Sequence, residues 1–265
     1  MSKDSILDRF NKDAVIMFIG AHPDDETTIS PLLAYAADTC REVFVVSLTR
    51  GESGWNLHTE DLTRTLAQVR TAELHAAAKI IGCTPVLFDY INGCSQAHPQ
   101  GLAVLDLEDQ ARARRTAEGG VDASPEAVLE RWTRQNGDPT VPLVRFFQEK
   151  RPDLVITLEP EKGFTGHREH IAMTRVLIKA LEEYNRTAQH KTALYYAHNS
   201  SDNVPNAQRI MTESLNAAGG KDYRTIAVDS RACYESQYGT RGSETAARYR
   251  TPWLDQQLIS FAGTL

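Results

Sequence analysis

Five short apolar runs, three of them rich in β-branched residues, punctuate this chain: Val15 to Ile19, Val43 to Ser47, Val86 to Phe88, Leu154 to Leu158 and Ala193 to Tyr196. Helix-like segments lie between them. This alternation limits the topology severely, because strands separated by helices pair in parallel through crossovers that lay the helices over the sheet. The expected helices are Ile29 to Ala37, Thr65 to Ile81 and Ile171 to Tyr184. Thr65 and Gln68 have capping-box spacing, and Gly82 suits the left-handed residue just past a helix end. The fold class this predicts is α/β: a Rossmann-like, mostly parallel sheet with helices on both faces, forming a single domain with an insertion.

The insertion is the stretch from Asn92 to Thr140, where Gly93, Pro99, Gly101, Gly119, Gly120, Pro125, Gly137 and Pro139 break the rhythm around charged segments such as Arg112 to Arg115. Long excursions in compact domains are often binding elements. It reads as a partly helical lid over the acceptor side of a pocket, with a surface used in homo-oligomer contacts as the alternative. A chain of 265 residues that is 41% hydrophobic can bury one large core. Its formal net charge of −6 leaves no basic footprint, so nucleic acid is not an expected partner and a small molecule is. Nowhere do about 18 apolar residues run together, and the first residues lack a signal-peptide core, so a soluble, cytoplasmic protein without a membrane span is expected. Cys40, Cys83, Cys94 and Cys233 form no Cys-x-x-Cys pair, which argues against a disulfide framework or a thiolate zinc site.

Directly after the first apolar run stands Ala21-His22-Pro23-Asp24-Asp25-Glu26. In open α/β sheets the ligand crevice lies beyond the carboxyl ends of the strands, so these polar groups would be presented there. Catalytic zinc takes three protein ligands from His and carboxylates and leaves one position open. His22 and Asp25 can supply two, and since adjacent residues in a turn face different ways, Asp24 is free to aim at a water and accept its proton. A third ligand can come from His167 or His170, which follow the run Leu154 to Leu158 and share a helical face by their three-residue spacing. Spacing alone does not choose between them. The plain alternative is an acidic turn whose carboxylates cap the next helix, together with two histidines that cap or solvate a helix start. Two such clusters at strand carboxyl ends favour the metal.

At these residues the chain resembles the LmbE-like or PIG-L family of metal-dependent N-deacetylases, whose signature Ala-His-Pro-Asp-Asp-Glu is reproduced in full by Ala21 to Glu26. Leu48 to Gly54 is similar to the family's Thr-x-Gly-Glu-x-Gly segment, Arg70-x-x-Glu73 to its helix, and Ser236-Gln237 to its carboxyl-terminal Ser-Gln. The resemblance implies that His22, Asp25 and His170 hold the ion, that Asp24 is the general base and that protonated His167 stabilises the oxyanion. Zinc is the implied cofactor, and ferrous iron suits the same ligands. The family's second acidic run often reads Thr-Asp-Gly-Glu, where this chain has Arg50 in place of the Asp, and the insertion exceeds the loop of compact members.

Three further residues are candidates for substrate binding. The resemblance implies that Arg70 offers its guanidinium to hydroxyl or phosphate oxygens; the plain alternative is an exposed Arg70–Glu73 ion pair. Asp89, past the third apolar run, could bind sugar hydroxyls or simply serve a turn. Glu52 lies between glycines that permit close backbone approach to a ligand, or in an ordinary glycine turn. His58, His75, His190 and His198 show no partner spacing and read as structural or surface residues; His98 falls in the insertion. The expected activity is removal of an acyl group, most simply acetyl, from an amino sugar or glycosylated small molecule. An amidase acting on a thiol conjugate or another secondary amide is the alternative of the same chemistry. A non-catalytic nucleotide- or sugar-binding module is the alternative of another class, weakened by the lack of Gly-x-Gly-x-x-Gly after the first strand.

Overall fold

A computed structural model of the chain describes residues 5–54, 57, 64–93, 124–240 and 254–264. Among these, seven strands form one sheet in the order β3-β2-β1-β4-β5-β7-β6. The strands are β1 Val15–Gly20, β2 Glu42–Thr49, β3 Thr84–Tyr90, β4 Leu154–Leu158, β5 Ala193–His198, β6 Gln208–Met211 and β7 Gln256–Gly263. The first five are the apolar runs, and they pair in parallel as their alternation with helices requires. β7 pairs antiparallel with both β5 and β6, which gives the sheet a mixed edge beyond the five expected strands.

Helices cover both faces. They are α1 Ser30–Thr39, α2 Leu66–Ile81, α3 Pro125–Asn136, α4 Thr140–Lys150, α5 Arg168–Thr187, α6 Thr212–Gly219 and α7 Tyr223–Arg231. The two-residue period of β1 divides the core: Ile16 and Phe18 pack with Leu32 and Leu33 of α1, Leu74 of α2 and Tyr223 of α7. Val15, Met17 and Ile19 pack on the other side with Trp132 of α3, Phe147 of α4 and Leu177 of α5. The α2 stop and start signals work as expected. The Gln68 N–H donates to Thr65 Oγ1 (3.3 Å), the Thr65 N–H donates to Gln68 Oε1 (2.9 Å), and Gly82 takes φ 90°.

The excursion expected over Asn92 to Thr140 has a core element at its carboxyl-terminal end. In α3, Val128 and Trp132 are completely buried and belong to the second core face. Residues 94–123, with Cys94 and His98, lie outside the described residues, as does His58. No helix among the described residues is long and apolar enough to cross a membrane.

β1 is the hinge of the sheet order. The chain winds from it outward through β2 and β3 on one side and through β4 and β5 on the other, so the crevice at the carboxyl ends of β1 and β4 is the topological switch point, the place where ligands bind in such sheets.

Candidate metal centre

Two loops meet in that crevice. The first leaves β1 at Gly20 and turns through His22 to Asp25, where a single 3₁₀ turn, Asp25–Thr28, precedes α1. Asp25 folds back under the loop, and its Oδ2 accepts hydrogen bonds from the Ala21 N–H (2.7 Å) and the His22 N–H (3.0 Å). Gly20 is required for this, since a Cβ there would lie 2.7 Å from the Asp25 Cβ. The second loop leaves β4 at Leu158. Glu159 organises it, accepting from the Glu161 N–H (2.9 Å), the Lys162 N–H (2.8 Å) and the Phe164 N–H (3.1 Å). It delivers His167 as the N-cap of α5 and places Glu169 and His170 in the first turn of that helix.

Three ligand-type atoms then face one another. His22 Nδ1 is 3.0 Å from His170 Nε2, Asp25 Oδ1 is 3.1 Å from His170 Nε2, and Asp25 Oδ1 is 3.8 Å from His22 Nδ1. Tetrahedral coordination at bond lengths of about 2.0–2.1 Å separates ligand atoms by roughly 3.3 Å, so the triangle has the size of one face of such a shell. A looser trio, His22, His167 and His170, has ligand atoms within 4.8 Å of one another. The shorter edges belong to the trio containing Asp25.

The far sides of both rings are held. His22 Nε2 lies 2.6 Å from Glu169 Oε2, and His170 Nδ1 lies 2.8 Å from the Gly163 carbonyl, which turns His22 Nδ1 and His170 Nε2 inward toward Asp25. These two nitrogens lie 3.0 Å apart, a separation that a shared proton or a bound cation satisfies. The electrostatics agree. Burial pulls the His22 pKa down, but hydrogen bonds and charge from Asp25 and Glu169 outweigh it and raise it to about 10. Burial likewise works against ionised Asp25, and the two imidazoles overcome it and hold its carboxyl well below the usual range. The donor set therefore fits a divalent cation. Gly163 is shaped by the same packing: at φ 57°, it would press a Cβ to 2.6 Å from the His170 Cβ.

Glu169 anchors the far side. Besides His22 it accepts from the Gly93 N–H (2.9 Å), from Asn92 Nδ2 and from Arg131 Nη2, and these charges and donors keep its buried carboxyl ionised despite the cost of desolvation. The two ends of the excursion thus converge on one carboxylate. Neither Asn92 nor Arg131 carries a local sequence signal. Glu169 does, since a carboxylate beside a metal-binding histidine is the usual partner that orients an imidazole.

Asp24 adopts φ 95°, and its carboxylate is held by Arg70 Nη2 (2.8 Å to Oδ1) and by the Tyr238 hydroxyl (3.0 Å to Oδ2). His167 packs against His22 and His170 with ring centroids 4.7 and 4.9 Å away. The residue is exposed, but desolvation, followed by positive charge on His22 and His170, lowers its pKa to about 3. Its Nδ1 accepts from the Glu169 N–H (3.3 Å), so the neutral ring carries its proton on Nε2. This shift favours a neutral donor at a position where the resemblance implies an imidazolium.

The structure brings His22, Asp24, Asp25, His167 and His170 together. It places the three expected substrate binders otherwise. Arg70 is buried beneath Asp24 and donates to the Gly51 carbonyl (3.0 Å) and the Pro23 carbonyl as well, so its guanidinium is committed to the protein. Neither does it form the exposed pair with Glu73, which accepts from the Ser236 N–H (2.8 Å) and hydroxyl (2.6 Å) instead. Glu52 is buried, accepts from the Asn92 N–H (2.8 Å), and has its pKa raised to about 7, chiefly by desolvation. Asp89 sits on the rim with its side chain 65% exposed and is bound by Arg50.

Fold and site together define a class: an α/β protein with a His, Asp and His triangle at the switch point of a parallel sheet. The family of GlcNAc-PI de-N-acetylases, PIG-L, matches residues 17–181, and the chain belongs to that family. It is 31% identical over 163 residues to the 1D-myo-inositol 2-acetamido-2-deoxy-alpha-D-glucopyranoside deacetylases of Mycobacterium bovis and Mycobacterium tuberculosis, an alignment covering 59% of this chain and 47% of the relative. The chain thus spans about half the length of these curated relatives. Among solved structures it is similar to the zinc-inhibited form of teicoplanin deacetylase, with a TM-score of 0.56 and 16% identity over 94% of this chain and 97% of the other. It is similar also to N,N'-diacetylchitobiose deacetylase from Pyrococcus horikoshii, with a TM-score of 0.52 and 15% identity over 86% and 74%. At such identities these two likenesses speak for the fold.

Proposed function

We propose that this protein is a metal-dependent N-deacetylase that hydrolyses the acetamide of an amino sugar or glycosylated small molecule to a free amine and acetate. The observation that carries this reading is the triangle of His22 Nδ1, Asp25 Oδ1 and His170 Nε2, with the Asp24 carboxylate next in the chain. Membership of the family and the deacetylase activity for which its relatives are named agree with it.

His22, Asp25 and His170 would hold the ion, zinc in this reading, with ferrous iron as the alternative that the same ligands accept. A bound divalent ion supplies Lewis-acid activation of a water and of the amide carbonyl. Asp24 takes the proton of the attacking water and returns it to the departing amine nitrogen, work that usually contributes about 10²–10⁴-fold. The Nε2–H of His167 donates to the carbonyl oxygen as it gains charge. We read the excursion 92–140 as a lid over the acceptor side, with residues 94–123 outside the described residues. Its support is that Asn92, Gly93 and Arg131 all hold Glu169, and deletion of residues 94–123 should change substrate preference. Cys40, Cys83 and Cys233 are free thiols, in keeping with a reducing, cytoplasmic setting.

The test is release of free amine from N-acetylglucosamine and from acylated thiol conjugates, before and after chelation. Activity on the sugar that a chelator abolishes and added zinc restores is the expected result. A preference for the thiol conjugates would move the protein to the amidase alternative, and an inert zinc-loaded protein across both panels would leave only a binding module.

A further inference from the structure

The Asp24 carboxylate is aimed from outside its own loop. Its backbone sits in the left-handed region, disfavoured for a residue with a Cβ, and its side chain makes no capping bond within the turn that follows. Each of its oxygens instead has one donor from afar: Arg70 of α2 on Oδ1, and Tyr238 on Oδ2 from 214 positions down the chain. Tyr238 closes a single helical turn, Glu235–Tyr238, that follows α7.

That turn touches the signature segment and its helix at three points. The Tyr234 hydroxyl donates to Glu26 Oε1 (2.6 Å), Ser236 binds Glu73 with its N–H and hydroxyl, and Tyr238 reaches Asp24. The Tyr238 ring is itself fixed, with the Arg231 guanidinium 4.2 Å from its centroid and the Tyr234 ring meeting it edge-on. Tyr234 and Ser236 dock the turn on Glu26 and Glu73, and the Tyr238 hydroxyl reaches beyond them to Asp24. A carboxylate oxygen offers about two lone-pair sites, and one donor on each locks rotation of the group.

We propose that Tyr238, with Arg70, is a positioning residue that sets the direction of the Asp24 carboxylate, so that a carboxyl-terminal turn beyond the family-matched residues 17–181 completes the site. This rests on the reading of Asp24 as the proton acceptor. A phenylalanine at 238 keeps the ring on Arg231 and removes only the hydroxyl.

The experiment is a double-mutant cycle on the full chain with N-acetylglucosamine as substrate, with bound metal and thermal midpoint measured for each variant, and a crystal structure of Tyr238→Phe. Misdirection of a reacting group is expected to lower kcat roughly ten- to hundredfold, with KM within about twofold and bound metal unchanged. In the Asp24→Asn background, Tyr238→Phe should cost nothing more, and the Tyr238→Phe crystal structure should show the Asp24 carboxylate rotated. An unchanged kcat, an equal loss in both backgrounds, or an unmoved carboxylate overturns the proposal. Full turnover by Asp24→Asn, by contrast, overturns the reading of Asp24 as base, and the crystal structure then judges the positioning on its own.

Discussion

The crevice beyond β1 and β4 and the crevice beyond β2 and β3 are built from the same kinds of residue and put them to opposite uses. In the first, His22 Nδ1, Asp25 Oδ1 and His170 Nε2 turn inward upon one another, while Glu169 and the Gly163 carbonyl hold the two rings from outside. In the second, Glu52, Arg50 and Asp89 are consumed by the protein, Glu52 by Asn92 and Arg50 and Asp89 by each other, while Arg70 reaches across to Asp24 of the first. A carboxylate or guanidinium near a strand end is therefore not by itself a ligand group. What separates the two is the topological switch point, where two loops approach from opposite sides and leave a gap between them.

The sharpest way to break this contrast is His170→Ala, which should remove bound ion and turnover together, as measured by metal content per chain and amine release. Next comes His167→Ala, expected to keep the ion and lose about 10²–10³ in kcat, the usual cost of one oxyanion donor. Equal metal loss in both variants would erase the distinction between ligand and donor. Glu169→Gln, which removes the charge that orients His22, should weaken metal affinity by about 10–100-fold in a competition titration with a chelator.

In the second crevice the effects are on stability. Glu52 has a folded pKa of about 7, raised above its unfolded value of about 4.3, so the native protein retains a proton that the unfolded chain releases between those values. Its contribution should therefore weaken stability as pH rises from about 4.5 to about 7, and Glu52→Gln should flatten that part of the urea-midpoint profile. Smallest of all, Asp89→Asn breaks an exposed pair with Arg50 and should change stability by at most about 1 kcal/mol and kcat/KM by less than about threefold. A large rise in KM there would return Asp89 to the substrate.

The first crevice was the legible one. Parallel strands of such a sheet announce themselves as short continuous apolar runs, and β1 through β5 coincide with the five such runs in the sequence. The signature after β1 and the histidines after β4 lie where such strands end, so topology supplied what spacing lacked. β6 and β7 were not legible: β6 has four residues of which only Ile210 is buried, and the antiparallel pairing of β7 depends on a partner 60 residues away. Arg70 was misplaced for a similar reason. Its position on α2 can be read, but its depth is fixed by Gly51, Pro23 and Asp24, three neighbours that only the folded chain assembles. Tyr238 carries no periodic or motif signal at all.

Anomalous scattering at the zinc edge from zinc-soaked crystals tests the account most directly. The expected result is a single strong peak bonded to His22 Nδ1, Asp25 Oδ1 and His170 Nε2 at about 2.0–2.2 Å, with Asp24 outside the coordination shell. A peak bonded to His167 in place of Asp25, or no peak among these residues at saturating zinc, would contradict it.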